Sequence, residues 1–246
     1  MLRRSPPRKP ASNPVNASAE AAYAAAEGEL ATAGLNLHGC LPAARYDACV
    51  PPAWRTQALA PSTRSVLLLA AGGRALFAAF AQAPEARLPA DPLDAYTRRV
   101  VEGVLRHLGA RALFAFERRG GAFADFVSLG RAGGLGAPSR LGLLLHPVYG
   151  PWLSLRAVLL TSLALPETPP LAGFDPCSGC AAPCAAACPG DALPVTGFDV
   201  AGCADSRSLR VACRERCDAR RACLIGPEHV YAAAAEAHHM GSLPGP

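Results

Sequence analysis

The distribution of cysteine constrains this chain more than any other feature, because eight of its ten cysteines lie between residues 177 and 223. The first four have the spacing Cys177-x2-Cys180-x3-Cys184-x3-Cys188, followed directly by proline. The bacterial ferredoxin run is C-x2-C-x2-C-x3-C-P, so this stretch keeps that pattern with one residue added. Three cysteines of such a loop bind one [4Fe–4S] cluster and the fourth binds a neighbouring cluster. The stretch therefore predicts iron–sulfur ligation.

A second set of four cysteines follows at wider spacing. Eight thiolates are what two [4Fe–4S] clusters require, and a pseudo-twofold module exchanges the last ligand of each set. This exchange predicts that cluster one is bound by Cys177, Cys180, Cys184 and Cys223. It predicts that cluster two is bound by Cys188, Cys203, Cys213 and Cys217. Between residues 205 and 221, six arginines outnumber three acidic residues, an excess that would raise the potential of cluster two.

Two other interpretations of the cysteines stay open. Structural zinc sites also use four thiolates, although zinc usually takes C-x2-4-C pairs separated by a longer gap. A single cluster with unused thiols is the alternative for the second set. Disulfides are disfavoured, because residues 1–17 lack the apolar stretch of a secretory signal peptide and are expected to be a disordered leader of a cytoplasmic protein. We find no uncharged apolar segment near the ~18 residues that a membrane span needs.

Residues 18–166 are predicted to form an α/β domain, because strand-like and helix-like stretches alternate there. The clearest strand is 65–71, an apolar run that suits burial on both faces. The clearest helix is 94–108, whose apolar residues share one stripe and which ends at Gly109. Other expected elements are helices over 18–33 and 74–82, a loop over 42–54, and strands at 35–41, 112–117, 141–145 and 152–163.

The composition changes after a proline-rich break at 166–170 (PETPP), where Cys, Ala and Arg become dominant. We expect a small α-rich ferredoxin-like module over residues 171–235, binding two [4Fe–4S] clusters. Residues 236–246 are expected to be a tail. The predicted architecture is thus an α/β domain followed by a separate cysteine module.

The order of the cysteines resembles the core of the epoxyqueuosine reductases, which are iron–sulfur and cobalamin enzymes of tRNA modification. In that family a Cys-Pro run is followed by an isolated cysteine, here Cys203, then by a close pair, and finally by a cysteine that returns to cluster one, here Cys223. The segment 142–161 resembles the strand–turn–strand region ahead of the family's module. The resemblance implies a cobalamin-binding α/β domain, a flavodoxin or ferredoxin reductase as electron donor, and a small-molecule or nucleotide substrate.

Two features depart from that family. Its Asp-Tyr-His proton-donor stretch is matched only by Asp94-Ala95-Tyr96, which lacks the histidine. The sequence also stops soon after the cysteines, where the family has helical repeats that hold tRNA. Four of the net +5 charges lie within residues 1–9, so the rest of the chain is nearly neutral. Nucleic acid is therefore not an expected partner.

Asp94 and His146 are the two weak candidates for catalysis. Asp94 is a proton-donor candidate through the family's acid, and the alternative is an ordinary ion pair with Arg98 four residues later. His146 follows a predicted strand, where a neutral imidazole could bind a corrinoid cobalt or donate a proton, or serve the fold alone.

The remaining candidates have plainer interpretations. Gly72-Gly73 follows a buried strand and could admit a cofactor edge, although an ordinary turn is the preferred interpretation. Cys40 and Cys49 are expected to be buried thiols and not ligands. His238 and His239 receive no role.

The sequence therefore predicts an iron–sulfur electron-transfer protein, part of a reductase whose two clusters feed electrons to a cofactor or substrate at the α/β domain. The alternative is a non-catalytic ferredoxin-type carrier or protein-interaction partner. A cavity facing a cluster would favour the reductase, and a filled domain with an exposed apolar patch would favour the carrier.

Overall fold

The computed structural model describes residues 14–195 and 197–241. They form a four-stranded sheet with helices on both faces, a two-stranded hairpin, and a group of short helices that carries the clustered cysteines. Within these two ranges, the structure contains no helix with the length and apolar character needed to cross a membrane. The expected mixture of an α/β part and an α-rich part is confirmed at this level.

The strands are β1 (Leu37–Pro42), β2 (Ser65–Gly72), β3 (Arg111–Phe114), β4 (Ala137–Pro138), β5 (Leu144–Leu145) and β6 (Leu153–Thr161). The helices up to β6 are α1 (Pro14–Thr32), α2 (Ala43–Ala48), α3 (Thr56–Leu59), α4 (Ala75–Phe80), α5 (Pro92–Leu108) and α6 (Phe126–Ala132). The helices after β6 are α7 (Pro183–Ala187), α8 (Val200–Leu209), α9 (Val211–Glu215), α10 (Asp218–Arg221) and α11 (Ala233–Gly241). Short 3-10 turns lie at Pro52–Trp54, Pro84–Arg87 and Pro227–His229.

The main sheet has the order β1-β2-β6-β3, and every neighbouring pair is antiparallel. All eight residues of β2 are buried, which confirms the prediction of a strand covered on both faces. Leu67 and Leu69 pack with residues of α1, α4 and α5, whereas Val66 and Leu68 pack with residues of α2 and α6. Because side chains alternate along a strand, a fully apolar run supplies both of these cores at once.

The long helix α5 is confirmed, with Val101, Val104 and Leu108 buried against the sheet. It ends where expected, since Gly109 adopts a left-handed conformation and donates its backbone N–H to the carbonyl of Leu105. Helix α1 begins at Pro14, earlier than the Ser18 cap predicts, and ends before a left-handed Gly34. Residues 1–13 of the expected leader lie outside the described residues.

Several predicted elements differ in extent. The expected strand at 141–145 is only the two-residue β5, and the expected loop at 42–54 contains α2 and a 3-10 turn. The break at 166–170 is not free of the sheet, because Thr168 exchanges hydrogen bonds with Cys40 of β1. Thr168 therefore holds the segment that precedes the cysteines against the edge strand β1.

The cysteine module shares its core with the segment that precedes it. Leu141 and Leu145 pack with Cys184, Leu193 and Ala219 in one small apolar cluster. The core of the cysteine module therefore includes residues that precede β6 in sequence, and the boundary expected at 166–170 stays a prediction. The change in composition shows where the cysteines begin, but it cannot show that Leu141 and Leu145 pack against them.

The segment expected to be a tail from residue 236 is part of α11 up to Gly241, and Glu236 and Met240 of this segment are buried, as is Ala235 just before it. A second small apolar cluster of Trp152, Tyr231 and Ala235 joins this helix to the residue that precedes β6. The C-terminal helix thus packs between the sheet domain and the cysteine module.

Candidate metal centre

The eight clustered cysteines form two separate groups of four. Site I consists of Cys177, Cys180, Cys184 and Cys223, which all line one cavity of about 230 Å³. Site II consists of Cys188, Cys203, Cys213 and Cys217, which all line another cavity of about 40 Å³. The structure brings together the same two sets that the exchanged-ligand pattern predicts.

Site I is built by a loop with little regular structure and the first turn of α7. Gly179 and Ala182 both have positive φ, at 70° and 53°, which turns the chain between successive cysteines. Backbone N–H groups point at the sulfurs: Arg140 donates to Cys177 at 3.5 Å, and Ala182 donates to the sulfur of Cys180 at 3.4 Å. Donors of this kind stabilise thiolates and tune the potential of a bound cluster.

Site II is built from four different pieces of chain. Cys203 lies on α8, Cys213 lies on α9 and Cys217 is the cap of α10. Cys188 follows the last residue of α7, so it stands at the end of a helix. The sulfur of Cys217 accepts the backbone N–H of Arg220 at 3.4 Å.

Helix α7 connects the two sites. Cys184 in its first turn belongs to site I and Cys188 after its last residue belongs to site II, about 6 Å further along the helix axis at 1.5 Å per residue. A single helical turn therefore joins site I to site II.

Burial changes the chemistry of the thiols. It raises the pKa of Cys184 and Cys223 in site I and of Cys203 and Cys217 in site II. Buried thiols of this kind are neutral until a metal displaces their protons, so metal binding releases protons and stabilises the fold. Among residues 14–195 and 197–241, no group of three or more His, Cys, Asp or Glu side chains is placed to hold one metal ion. Neither site is closed around a zinc-sized ion.

Arg220 fastens site II to the sheet domain. Its guanidinium donates to the backbone carbonyl of Pro151 at 2.6 and 3.1 Å. It also lies 4.5 Å from the ring centre of Trp152 and 4.7 Å from that of Tyr231. Since its backbone N–H binds Cys217, one residue links a thiol of site II to the loop that enters β6.

A cavity of about 300 Å³, which we call the inner cavity, lies between site II and β6. Three thiols of site II line it, together with apolar side chains such as Leu153 and Phe198. Polar side chains in its wall include Ser154, Arg220, Tyr231 and His239. Burial, followed by the charges of Arg220 and Arg156, lowers the pKa of His239 to about 3, so this imidazole is neutral at physiological pH.

Asp94 lies in a neighbouring cavity of about 210 Å³, with Arg156, His238 and His239. Its carboxylate accepts a hydrogen bond from Arg156 of β6, and the expected pair with Arg98 does not form because Arg98 binds Glu117. His239 borders both cavities, so Asp94 is separated from the inner cavity by this ring.

His146 and the two glycines have structural roles. The Nδ1 atom of His146 accepts the backbone N–H groups of Val148 and Tyr149, at 3.0 and 3.2 Å, which holds the turn 146–150. Burial, then the nearby His229, lowers its pKa. A Cβ atom at Gly72 would overlap the ring of Tyr149, so the glycine pair makes room for that ring. These contacts support the plainer interpretation of each.

Cys40 and Cys49 lie away from both sites, Cys40 in β1 and Cys49 after α2. Three residues that sequence reasoning left without a role do line or support the site: Tyr231, Glu236 and His239. The alanine-rich run 232–237 has high helix propensity and could have indicated the helix that carries two of them.

No family model and no curated protein matches the sequence. Solved structures do match the fold. An epoxyqueuosine reductase with a modified tRNA stem loop has a TM-score of 0.57 at 12% identity, covering 91% of this chain and 69% of that chain. A B12-trafficking protein from C. elegans has a TM-score of 0.56 at 13% identity, covering 92% of this chain and 96% of that chain. A catabolic reductive dehalogenase has a TM-score of 0.52 at 17% identity, covering 86% of this chain and 32% of that chain.

Identities this low show a shared fold and nothing more. The fold resemblance to the core of the epoxyqueuosine reductases is thereby confirmed. One of these neighbours was solved with a tRNA stem loop.

Proposed function

We propose that this chain is an iron–sulfur reductase in which two [4Fe–4S] clusters deliver electrons to a small substrate in the inner cavity. The supporting observation is the sorting of eight cysteines into two sites of four, with only the thiols of site II lining that cavity. The reductase names among the fold neighbours agree with this class of activity.

Bound clusters would supply one-electron transfer, and the direction of flow follows from the placement of the sites. Site I does not border the inner cavity, so a cluster held there would receive electrons from a donor such as a flavodoxin or a ferredoxin reductase, and a cluster held by site II would pass them to the substrate. In the cavity, neutral His239 and the hydroxyl of Tyr231 can hydrogen-bond a substrate, while the apolar walls exclude water.

The size of the inner cavity favours a small substrate. Drug-sized ligands occupy pockets of about 300–1,000 Å³. The inner cavity is about 300 Å³, with His239 and Met240 of α11 in its wall. Cobalamin, which the resemblance implies, is larger than such ligands, and its binding is tested below by titration.

An electron carrier is the second candidate, because large apolar side chains are exposed on the cysteine module. Five are exposed at 60% or more: Val195, Val200, Leu209, Val211 and Leu224. Such side chains suit docking of a redox partner. A carrier would hold both clusters and leave the inner cavity without a substrate.

The first test is metal analysis of the chain purified without oxygen, with iron, acid-labile sulfide, zinc and cobalt counted per chain. About eight irons and eight sulfides support two [4Fe–4S] clusters. Zinc in place of iron would contradict the proposal. Cys49→Ala, which removes a thiol outside both sites, is the matched control and should keep the full count.

The second test separates the reductase from the carrier. The clusters are reduced with dithionite, and their reoxidation is followed by absorbance with small-molecule candidates, with tRNA and with added cobalamin. Reoxidation by a substrate that saturates supports the reductase. Reoxidation only by protein carriers would transfer the proposal to the carrier, and saturable cobalamin binding would contradict the cavity argument.

A further inference from the structure

Glu236 is a carboxylate with 1% of its surface exposed, on the helix that packs beside site II. One oxygen, Oε1, accepts the backbone N–H of Cys217 at 3.1 Å. The other, Oε2, accepts two hydrogen bonds from Arg221, at 2.9 and 2.6 Å. Both oxygens are therefore satisfied, and one of them holds a thiol residue of site II through its backbone.

Burying a carboxylate is costly unless charge and hydrogen bonds compensate it. Apolar packing alone could have held α11 here, since Ala235 and Met240 are already buried on the same helix. The position of the charge therefore indicates a purpose beyond packing. Arginines outnumber acidic residues between residues 205 and 221, and Glu236 places a buried carboxylate beside this segment.

We infer that Glu236 is a positioning residue for site II, which fixes Cys217 and lowers the reduction potential of the cluster bound there. The inference rests on the proposed function, because it requires a cluster at site II. The carboxylate balances the charge of Arg221, so without it the guanidinium would leave an uncompensated positive charge beside site II, which would favour addition of an electron to a cluster held there. The hydrogen bond to the backbone of Cys217 orients that ligand.

Two substitutions separate the charge from the anchor. Glu236→Gln keeps an oxygen that can accept the N–H of Cys217 but removes the charge. Glu236→Asp keeps the charge but is one methylene shorter, so it reaches Cys217 less well. Glu228→Gln is the matched control, because Glu228 belongs to the same module but its side chain is 65% exposed.

The readouts are redox titration of each cluster by EPR and the rate at which a chelator removes iron. Glu236→Gln should raise the midpoint potential of site II by about 59 mV, a tenfold change in its reduced-to-oxidised ratio, and leave site I unchanged. Glu236→Asp should leave the potential near that of the wild type but release iron from site II several-fold faster. Glu228→Gln should change neither.

Different failures have different meanings. A wild-type chain without a cluster at site II would overturn the proposed function and this inference together. Two normal clusters with an unshifted site II in Glu236→Gln, or an equal shift in both clusters, would overturn the inference alone. If Glu236→Gln does not fold, an unchanged rate of iron loss from Glu236→Asp is sufficient to reject the anchor.

Discussion

The exchange of ligands between the two sites can be tested by removing single thiols. Cys188 lies one turn of chain after Cys184, yet its thiol is grouped with site II. Cys223 follows all four site II cysteines in sequence, yet it lines the cavity of site I. If sequence neighbours shared a cluster, each of these two cysteines would belong to the opposite site.

The magnitude follows from the count of ligands, since each [4Fe–4S] cluster has one thiolate per iron. Cys188→Ala and Cys223→Ala should each retain about four of about eight irons, because one cluster is lost and the other is kept. The identity of the lost cluster comes from reference variants. Cys180→Ala removes a ligand that only site I can use, and Cys213→Ala removes one that only site II can use.

The assay is iron analysis with EPR of the reduced chains. Cys223→Ala should reproduce the spectrum of Cys180→Ala, and Cys188→Ala should reproduce that of Cys213→Ala. The opposite match would refute the exchange and the grouping of thiols on which it depends. Cys49→Ala should retain both spectra.

Three further predictions concern the fold around the sites. Gly150→Ala should be more destabilising than Gly109→Ala in denaturant titrations. Both glycines have positive φ, but only a Cβ at residue 150 would overlap the carbonyl of Ile225. We expect a loss of about 1–2 kcal/mol from backbone strain in each variant, and about 1–3 kcal/mol more from the overlap in Gly150→Ala. Leu68→Ala should lower the free energy of unfolding by about 2–5 kcal/mol, since this fully buried side chain lies in the core beneath α6, and an unchanged value would contradict that packing. Because of His239, the free energy of unfolding should fall on acidification. Its pKa is lowered to about 3 in the folded chain, so as the pH falls the unfolded chain binds the proton first. The stability present above pH ~6.5 should be lost toward pH 3, at up to about 1.4 kcal/mol per pH unit. His239→Phe should flatten that part of the pH profile.

The central strand and the long helix could be predicted because their signals are local. An uninterrupted apolar run such as 65–71 can only be satisfied by apolar cover on both faces, and the structure provides it. The stripe on α5 and the glycine after it likewise depend only on helical geometry. The predicted strand at 141–145 is shorter in the structure, because only Leu144 and Leu145 pair with β4 and Leu141 instead packs in the cluster that contains Cys184.

The partition of the thiols depends on spacing, but the surroundings of the sites depend on tertiary contacts. The placement of Cys188 after α7 could not be read from the Cys-Pro run, because that run does not show which turn is helical. Glu236 and His239 were missed because an alanine-rich segment with few apolar residues offers no periodic stripe. Their contacts with the sites form only when α11 packs against α9 and against Trp152, just before β6.

The role of α11 follows from how little else holds the cysteine module in place. Among residues 14–195 and 197–241, its apolar core has five buried residues, one of which is Cys184, and cores this small rarely stabilise a fold alone. Two supports would add to it: the proposed clusters, and the contacts of Arg220 in α10 with Pro151 and with Tyr231, which precedes α11. Arg220 also holds Cys217 and lines the inner cavity, so a substrate bound there would touch a side chain that positions site II. Occupancy of the cavity and the geometry of the proposed cluster site would therefore be coupled through the same few residues.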